Sequence, residues 1–116
     1  MQYQLFDVVS CMGVTSTIVD ESEFAKLVVC LKSYLNDNGI LILKDSLSKI
    51  SDQILCDEKT GYIALYREYR RYMDIFAKTG FRFIDEIRLV DSETKFNSIF
   101  ILVNSSEVNM NYSVIR

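Results

Sequence analysis

Apolar residues in this chain fall into two regimes, short continuous runs and longer stretches at helical spacing. The first run, LFDVVS at residues 5–10, is β-branched and aromatic apart from Asp7 and its terminal serine. It predicts a strand buried on both faces. The small and polar residues of SCMGVTST then break it into a loop. In DESE, Asp20 suits a helix N-cap, and Glu23, three residues on, completes a capping box. Phe24, Leu27, Val28, Leu31 and Leu35 follow at helical spacing, so residues 21–35 are predicted to form an amphipathic helix. Asn38-Gly39 stops it, with Gly39 expected at positive φ. ILIL at residues 40–43 is a second buried strand, with Lys44 and Asp45 at its C-terminal end. Strand, helix and strand in this order make a βαβ unit, with parallel strands and a right-handed crossover.

Residues 46–61 lose this periodicity and are predicted to be a loop, with at most a turn of helix near 50–55. A second helix is predicted over residues 62–78, with Tyr66, Tyr69, Met73 and Phe76 on one face, Ala77 beside them, and Gly80 as the C-cap. FRFIDEIRLV is a further strand, DSETKFN turns the chain, and SIFILV at residues 98–103 returns antiparallel. Residues 105–116 are polar and aperiodic and are expected to be a flexible tail, which leaves 1–104 as one domain. The predicted class is layered α/β, in the order β-α-β-α-β-β, with parallel strands and a closing antiparallel hairpin.

Composition narrows the functions open to such a domain. A formal charge of −3 gives no basic face for a polyanion, so nucleic acid is not an expected partner. The sequence contains no histidine, which removes an imidazole base, a Ser/His/Asp triad and a histidine-ligated metal from this chain. Cys11, Cys30 and Cys56 are scattered, leave one thiol over in any disulfide scheme, and make a poor metal site. They fit a reducing, cytoplasmic setting. No apolar stretch is long enough to span a membrane.

Several strings, taken in order, resemble the C-terminal half of class I S-adenosylmethionine-dependent methyltransferases. FDVVSCMGV resembles that family's fourth strand, and LNDNG the turn after its next helix. ILILKD resembles its fifth strand, while Tyr66-Arg67 and FAKTGF match strings of the helix that follows. The resemblance covers residues 5–103 and implies a Rossmann-like sheet missing its N-terminal half. That half carries the family's glycine-rich cofactor loop and the acidic residue that binds the ribose. Here the four glycines, at positions 13, 39, 61 and 80, form no G-x-G string.

The resemblance implies S-adenosylmethionine as cofactor, with Ser10, Cys11, Met12 and Gly13 lining its methionine side; the alternative is an ordinary strand-to-helix turn. Asp45 ends the second parallel strand on the same rim, where a carboxylate can orient an acceptor or take its proton. NGILILKD resembles protein N-terminal methyltransferases, which place a catalytic acid there but also use a histidine that this chain lacks. A turn or helix cap is the competing role for Asp45. Tyr66 and Arg67 would roof the substrate pocket. Otherwise Tyr66 belongs to the core, and Arg67 is a surface charge paired with Glu68 or Asp74.

Two functions remain. One is an O- or N-methyltransferase that is incomplete as this chain, acting on a small-molecule or peptide acceptor. The other is a non-catalytic methyltransferase-like subunit. Either way, removing the first half leaves strand 5–10 with an open edge, so a homo-oligomer or a partner chain is expected to pair there.

Overall fold

The computed structural model describes residues 4–105. In chain order its elements are β1 (Phe6–Met12), a 3-10 turn (Thr15–Thr17), α1 (Glu21–Ser33), β2 (Leu35–Ser48), β3 (Gln53–Asp57), β4 (Tyr62–Tyr66), α2 (Tyr69–Thr79), β5 (Phe81–Asp91) and β6 (Lys95–Asn104). Four strands make the main sheet, in the order β1-β2-β6-β5, and β3 and β4 pair as a separate hairpin. β1 and β2 are parallel, as the βαβ pattern predicts. β6 is antiparallel to both β2 and β5. The closing hairpin therefore folds back into the sheet, and β5 becomes its far edge.

Local chemistry sets most element boundaries. The Asp20 carboxylate accepts from the Glu23 N–H at 3.0 Å and caps α1. Glu23 turns its own carboxylate to Lys26, at 3.3 Å, rather than returning the reciprocal bond of a capping box. Glu68 caps α2 by accepting from the Arg70 N–H. Gly80 closes α2 at φ 105°, a left-handed conformation that glycine takes without steric cost.

The turn into β2 departs from expectation. Asn38, at φ 64°, takes the left-handed conformation predicted for Gly39. Gly39 is required for space instead: a Cβ there would lie 2.8 Å from the Asn36 carbonyl oxygen and 3.3 Å from that of Asp7. Those atoms are backbone and cannot swing away. Gly39→Ala is expected to lower stability by about 1–2 kcal/mol, seen as a lower urea midpoint at unchanged m-value.

Residues 46–61 are not the predicted loop. Ser46, Leu47 and Ser48 continue β2 against Asn97, Phe96 and Lys95 of β6. QILCD and YIALY then pair as β3 and β4, Gln53 opposite Tyr66 and Asp57 opposite Tyr62. Their β-branched and aromatic residues flank DEKTG, which is a hairpin signal. Tyr62, Tyr66 and Tyr69 happen to be spaced as on a helix, and this coincidence carried the predicted helix too far back. α2 begins at Tyr69, and its buried face is Tyr72, Met73, Phe76 and Ala77.

Both helices pack on one face of the sheet. Phe24, Val28 and Leu31 of α1 and Tyr72, Met73 and Phe76 of α2 meet Leu41, Leu43, Phe100 and Leu102. Tyr72 lies at the centre, with its ring 5.0 Å from Phe76 and 5.6 Å from Phe100. β1 is not buried on both faces as predicted. Only Cys11 is buried, while Phe6, Val8 and Met12 are 45%, 55% and 50% exposed. The cause is geometric: the helices cover one face, and among the described residues no strand lies along the free edge. The expected tail falls outside the described residues except for Ser105.

Candidate functional site

The C-terminal ends of β1 and β2 form the rim where ligands of open α/β sheets bind. The Gly13 N–H donates to the Lys44 carbonyl at 2.7 Å, so the parallel ladder continues into the start of the loop. Strand alternation divides the four residues of the expected cofactor wall. Ser10, Met12 and Gly13 are exposed at the rim, whereas Cys11 points into the core. Burial raises the Cys11 thiol pKa, and the Asp45 carboxylate raises it further. Cys11 is thus held as a neutral thiol.

Asp45 lies within β2, opposite Ser98 of β6, and its side chain follows Leu41 and Leu43 onto the helix-covered face. It is 1% exposed, because the 3-10 turn and α2 close over it. The Tyr72 hydroxyl donates to Asp45 Oδ2 at 2.7 Å. Oδ1 is buried without a well-formed hydrogen bond. The Thr15 hydroxyl and the Ser16 N–H still lie close enough to favour the charged form. Burial outweighs these donors and the distant Arg67 charge, so the Asp45 pKa is raised. Burial likewise pushes the Tyr72 phenol far up, with the Asp45 charge adding to it.

Arg67 is neither in the first turn of a helix nor on the surface. It lies in the connection from β4 to α2 and is 1% exposed. Nη1 donates to the Thr15 carbonyl at 2.8 Å, Nη2 to the Ile18 carbonyl, and Nε to Glu21 Oε1 at 3.2 Å. The guanidinium stacks over the Phe24 ring at 3.9 Å. The partners expected from sequence are engaged elsewhere, Glu68 as the α2 cap and Asp74 with Lys78 at 2.8 Å. Glu21 also holds Arg71 at 2.7 Å. Arg67 is therefore a clamp that fixes the loop between β1 and α1 against the start of α2.

Asp45 and Arg67 converge on the same 3-10 turn, one through the Thr15 and Ser16 side of the turn and the other through the Thr15 and Ile18 carbonyls. Tyr66 ends β4, is half-buried, and has the Lys95 ammonium 5.7 Å from its ring centre. Thr15, Glu21 and Tyr72 join the cluster without having been singled out for it. Tyr72 lies in a tyrosine-rich stretch, with Tyr62, Tyr66 and Tyr69 before it. A separate cleft of about 250 Å³ lies between α2 and β5, lined by Tyr69, Met73, Phe83, Glu86 and Phe100 among others. Among the described residues no cluster of three or more His, Cys, Asp or Glu is placed to hold a metal ion, and no helix is long and apolar enough to cross a membrane.

No family model and no curated protein matches the sequence. Solved structures do match the fold. A Methanosarcina mazei S-adenosylmethionine-dependent methyltransferase superposes with a TM-score of 0.73 at 11% identity, over 92% of this chain and 64% of that one. The Burkholderia thailandensis 1,6-didemethyltoxoflavin N1-methyltransferase, solved with S-adenosylhomocysteine, gives 0.73 at 8% identity, over 91% and 47%. A Brevibacillus brevis polyketide-synthase O-methyltransferase, also with S-adenosylhomocysteine, gives 0.70 at 12%, over 97% and 48%. The chain thus has a methyltransferase-like fold and spans about half to two-thirds of the matched structures.

S-adenosylmethionine fits the described residues only in part. Ser10, Met12 and Gly13 are exposed at the rim, enough for one wall. Asp45, at the end of the neighbouring strand, is sealed beneath the 3-10 turn and offers nothing to a ribose. The sequence also has no glycine-rich loop to approach the methionine part.

Proposed function

We propose that this chain is the C-terminal part of an S-adenosylmethionine-dependent methyltransferase unit, inactive by itself, that moves a methyl group to an oxygen or nitrogen of a small-molecule or peptide acceptor. One observation carries this reading: over nine-tenths of the chain superposes on methyltransferases, yet it fills only 64% and 47% of the first two. A small-molecule acceptor is in keeping with the 1,6-didemethyltoxoflavin bound by one of them. Ser10, Met12 and Gly13 would form one cofactor wall, and Cys11 would back it from the core. Asp45, shut off beneath the turn, acts as a positioning residue through Tyr72 and Thr15. Arg67 holds the same loop in place, and Tyr66 sits beside it where β4 enters α2. Methyl transfer needs mainly alignment and exclusion of water, which a fixed loop serves. The open β1 edge is closed by association with another chain or copy.

Isothermal titration of the purified chain with S-adenosylmethionine tests the incompleteness. No heat at two temperatures is the expected result. Micromolar binding would show that the pocket is complete within this chain. The second reading, a non-catalytic assembly subunit, is favoured by the missing glycine-rich loop. It predicts stable association with no cofactor affinity in any assembled state.

A further inference from the structure

The cleft of about 250 Å³ between α2 and β5 lies at the edge of the sheet opposite β1. A β-bulge shapes it. β5 pairs Phe83 with Leu102, Asp85 with Ile101 and Glu86 with Phe100, so Ile84 is an extra residue. Leu102 and Phe100 are buried under the helices. The bulge therefore turns both Phe83 and Glu86 to the helix side, although they are three positions apart. In a regular strand, position 86 would face away from α2.

A carboxylate is thereby set among rings. Phe83 meets Phe100 edge to face at 5.7 Å, and the Tyr69 ring centre lies 6.5 Å from that of Phe100. Met73 adds to the apolar wall. The donors to Glu86 are unevenly divided. The Ser98 hydroxyl donates to Oε2 at 2.8 Å, and Arg88 Nε and Nη2 donate to the same oxygen at 2.9 and 2.6 Å. Among the described residues Oε1 accepts from the Tyr69 hydroxyl alone, at 3.3 Å, which is long for such a bond. A carboxylate oxygen accepts two donors, so Oε1 keeps an open position between two side chains of the cleft wall.

Charge balance restricts what fits there. Arg88 offsets the Glu86 charge and lies over the Phe96 ring at 3.9 Å. Asp85, at the mouth, accepts from the Glu86 N–H at 2.8 Å and forms no ion pair among the described residues. The cleft thus keeps one uncompensated negative charge beside aromatic rings, and both attract a cation. Its volume is below the roughly 300 Å³ at which sites for drug-sized molecules begin, so the cation is small.

We propose that this cleft binds a small primary ammonium compound with an apolar or aromatic body. The ammonium donates to Glu86 Oε1 and faces the Asp85 carboxylate, and the body lies against Met73, Phe83 and Phe100. Such a ligand ties α2 to β5, an edge strand paired only with β6. The site does not rest on the function proposed above: it lies at the far edge from Ser10–Gly13 and uses none of the residues named there.

Titration of the full chain with 2-phenylethylamine, followed by heteronuclear NMR, tests this. A Kd of about 0.1–5 mM is expected for a ligand of so few atoms, with the shifts centred on Tyr69, Met73, Phe83 and Glu86. 2-Phenylethanol keeps the body without the charge, and the N,N,N-trimethyl derivative keeps the charge without an N–H. Each should bind about tenfold more weakly than the amine. Glu86→Gln should weaken the amine about tenfold. Asp85→Asn, at an exposed position that leaves the fold intact, should weaken it about threefold, and it decides the matter if Glu86→Gln does not fold. No shifts at about 20 mM amine, shifts centred on another surface, equal binding of either analogue, or an unchanged Kd in Asp85→Asn would overturn the proposal.

Discussion

Arg67→Ala is expected to destabilise the fold by about 3 kcal/mol, at the low end for loss of one partner from a buried ion pair. The low end applies because Glu21 is 46% exposed and solvent screens part of its charge. The larger part of the loss is local. The Thr15 and Ile18 carbonyls lose their guanidinium donors, and the Phe24 ring loses the cation stacked on it. Arg67→Lys should recover less than half, since an ammonium cannot serve two carbonyls, a carboxylate and a ring face together. Urea unfolding checks both variants; a lower midpoint at constant m-value is a stability change alone. A loss in Arg67→Ala of less than about 0.5 kcal/mol, the range of an exposed pair, would overturn the clamp.

Tyr72→Phe should have the next largest effect, and its size should depend on pH. The substitution removes the one well-formed hydrogen bond to Asp45, whose Oδ1 already lacks one. Leaving a buried carboxylate so exposed to its own charge costs about 3 kcal/mol when ionised and about 1 kcal/mol when protonated. The sign follows from the raised Asp45 pKa. The folded state holds this proton more tightly than the unfolded chain, whose carboxyl titrates near 3.8. Stability therefore falls as pH rises from there through the folded pKa, and the loss is complete above it. Tyr72→Phe should steepen the fall, and Asp45→Asn should abolish it. Asp45→Asn keeps an acceptor for the Tyr72 hydroxyl without a buried charge, so it should be at least as stable as the native chain at neutral pH. Asp20 and Asp91 shift the other way, held down by Ser22 and Lys49 respectively. Comparing the native chain with Asp45→Asn cancels them. Equal pH slopes for the two proteins would show that Asp45 does not carry the dependence.

The Asp45 carboxylate is 1% exposed and its pKa is raised by burial. Among the described residues no cation lies in contact with it, its Oδ1 has no well-formed hydrogen bond, and it sits beneath the loop at the rim. The structure moves Asp45 from the surface of the rim to a position behind it. Its carboxylate faces Tyr72, Thr15 and Ser16.

Parts of this arrangement were legible in the chain. The run 5–10, the helical spacing from Phe24 to Leu31, the apolar ILIL and the Gly80 cap each follow from local periodicity or backbone freedom, and each stands in the structure. The β3–β4 hairpin was also present in composition, but three tyrosines at helical spacing concealed it. Arg67 could not be read. Its partners lie 46 to 52 residues away: the Thr15 and Ile18 backbone carbonyls of the loop before α1, and the Glu21 carboxylate. A residue type states what bonds a side chain can make; it does not state which distant atoms will be there to make them.

By itself, the sequence determined the elements that depend on near neighbours: a parallel βαβ unit, a second capped helix, and a closing pair of strands. Tertiary structure alone decided that β6 enters between β2 and β5, and that Asp45 and Arg67 meet at one turn. The division has a physical basis. Periodicity and capping act over three or four residues. Strand order and the closure of a buried polar cluster are set by which distant surfaces exclude water together.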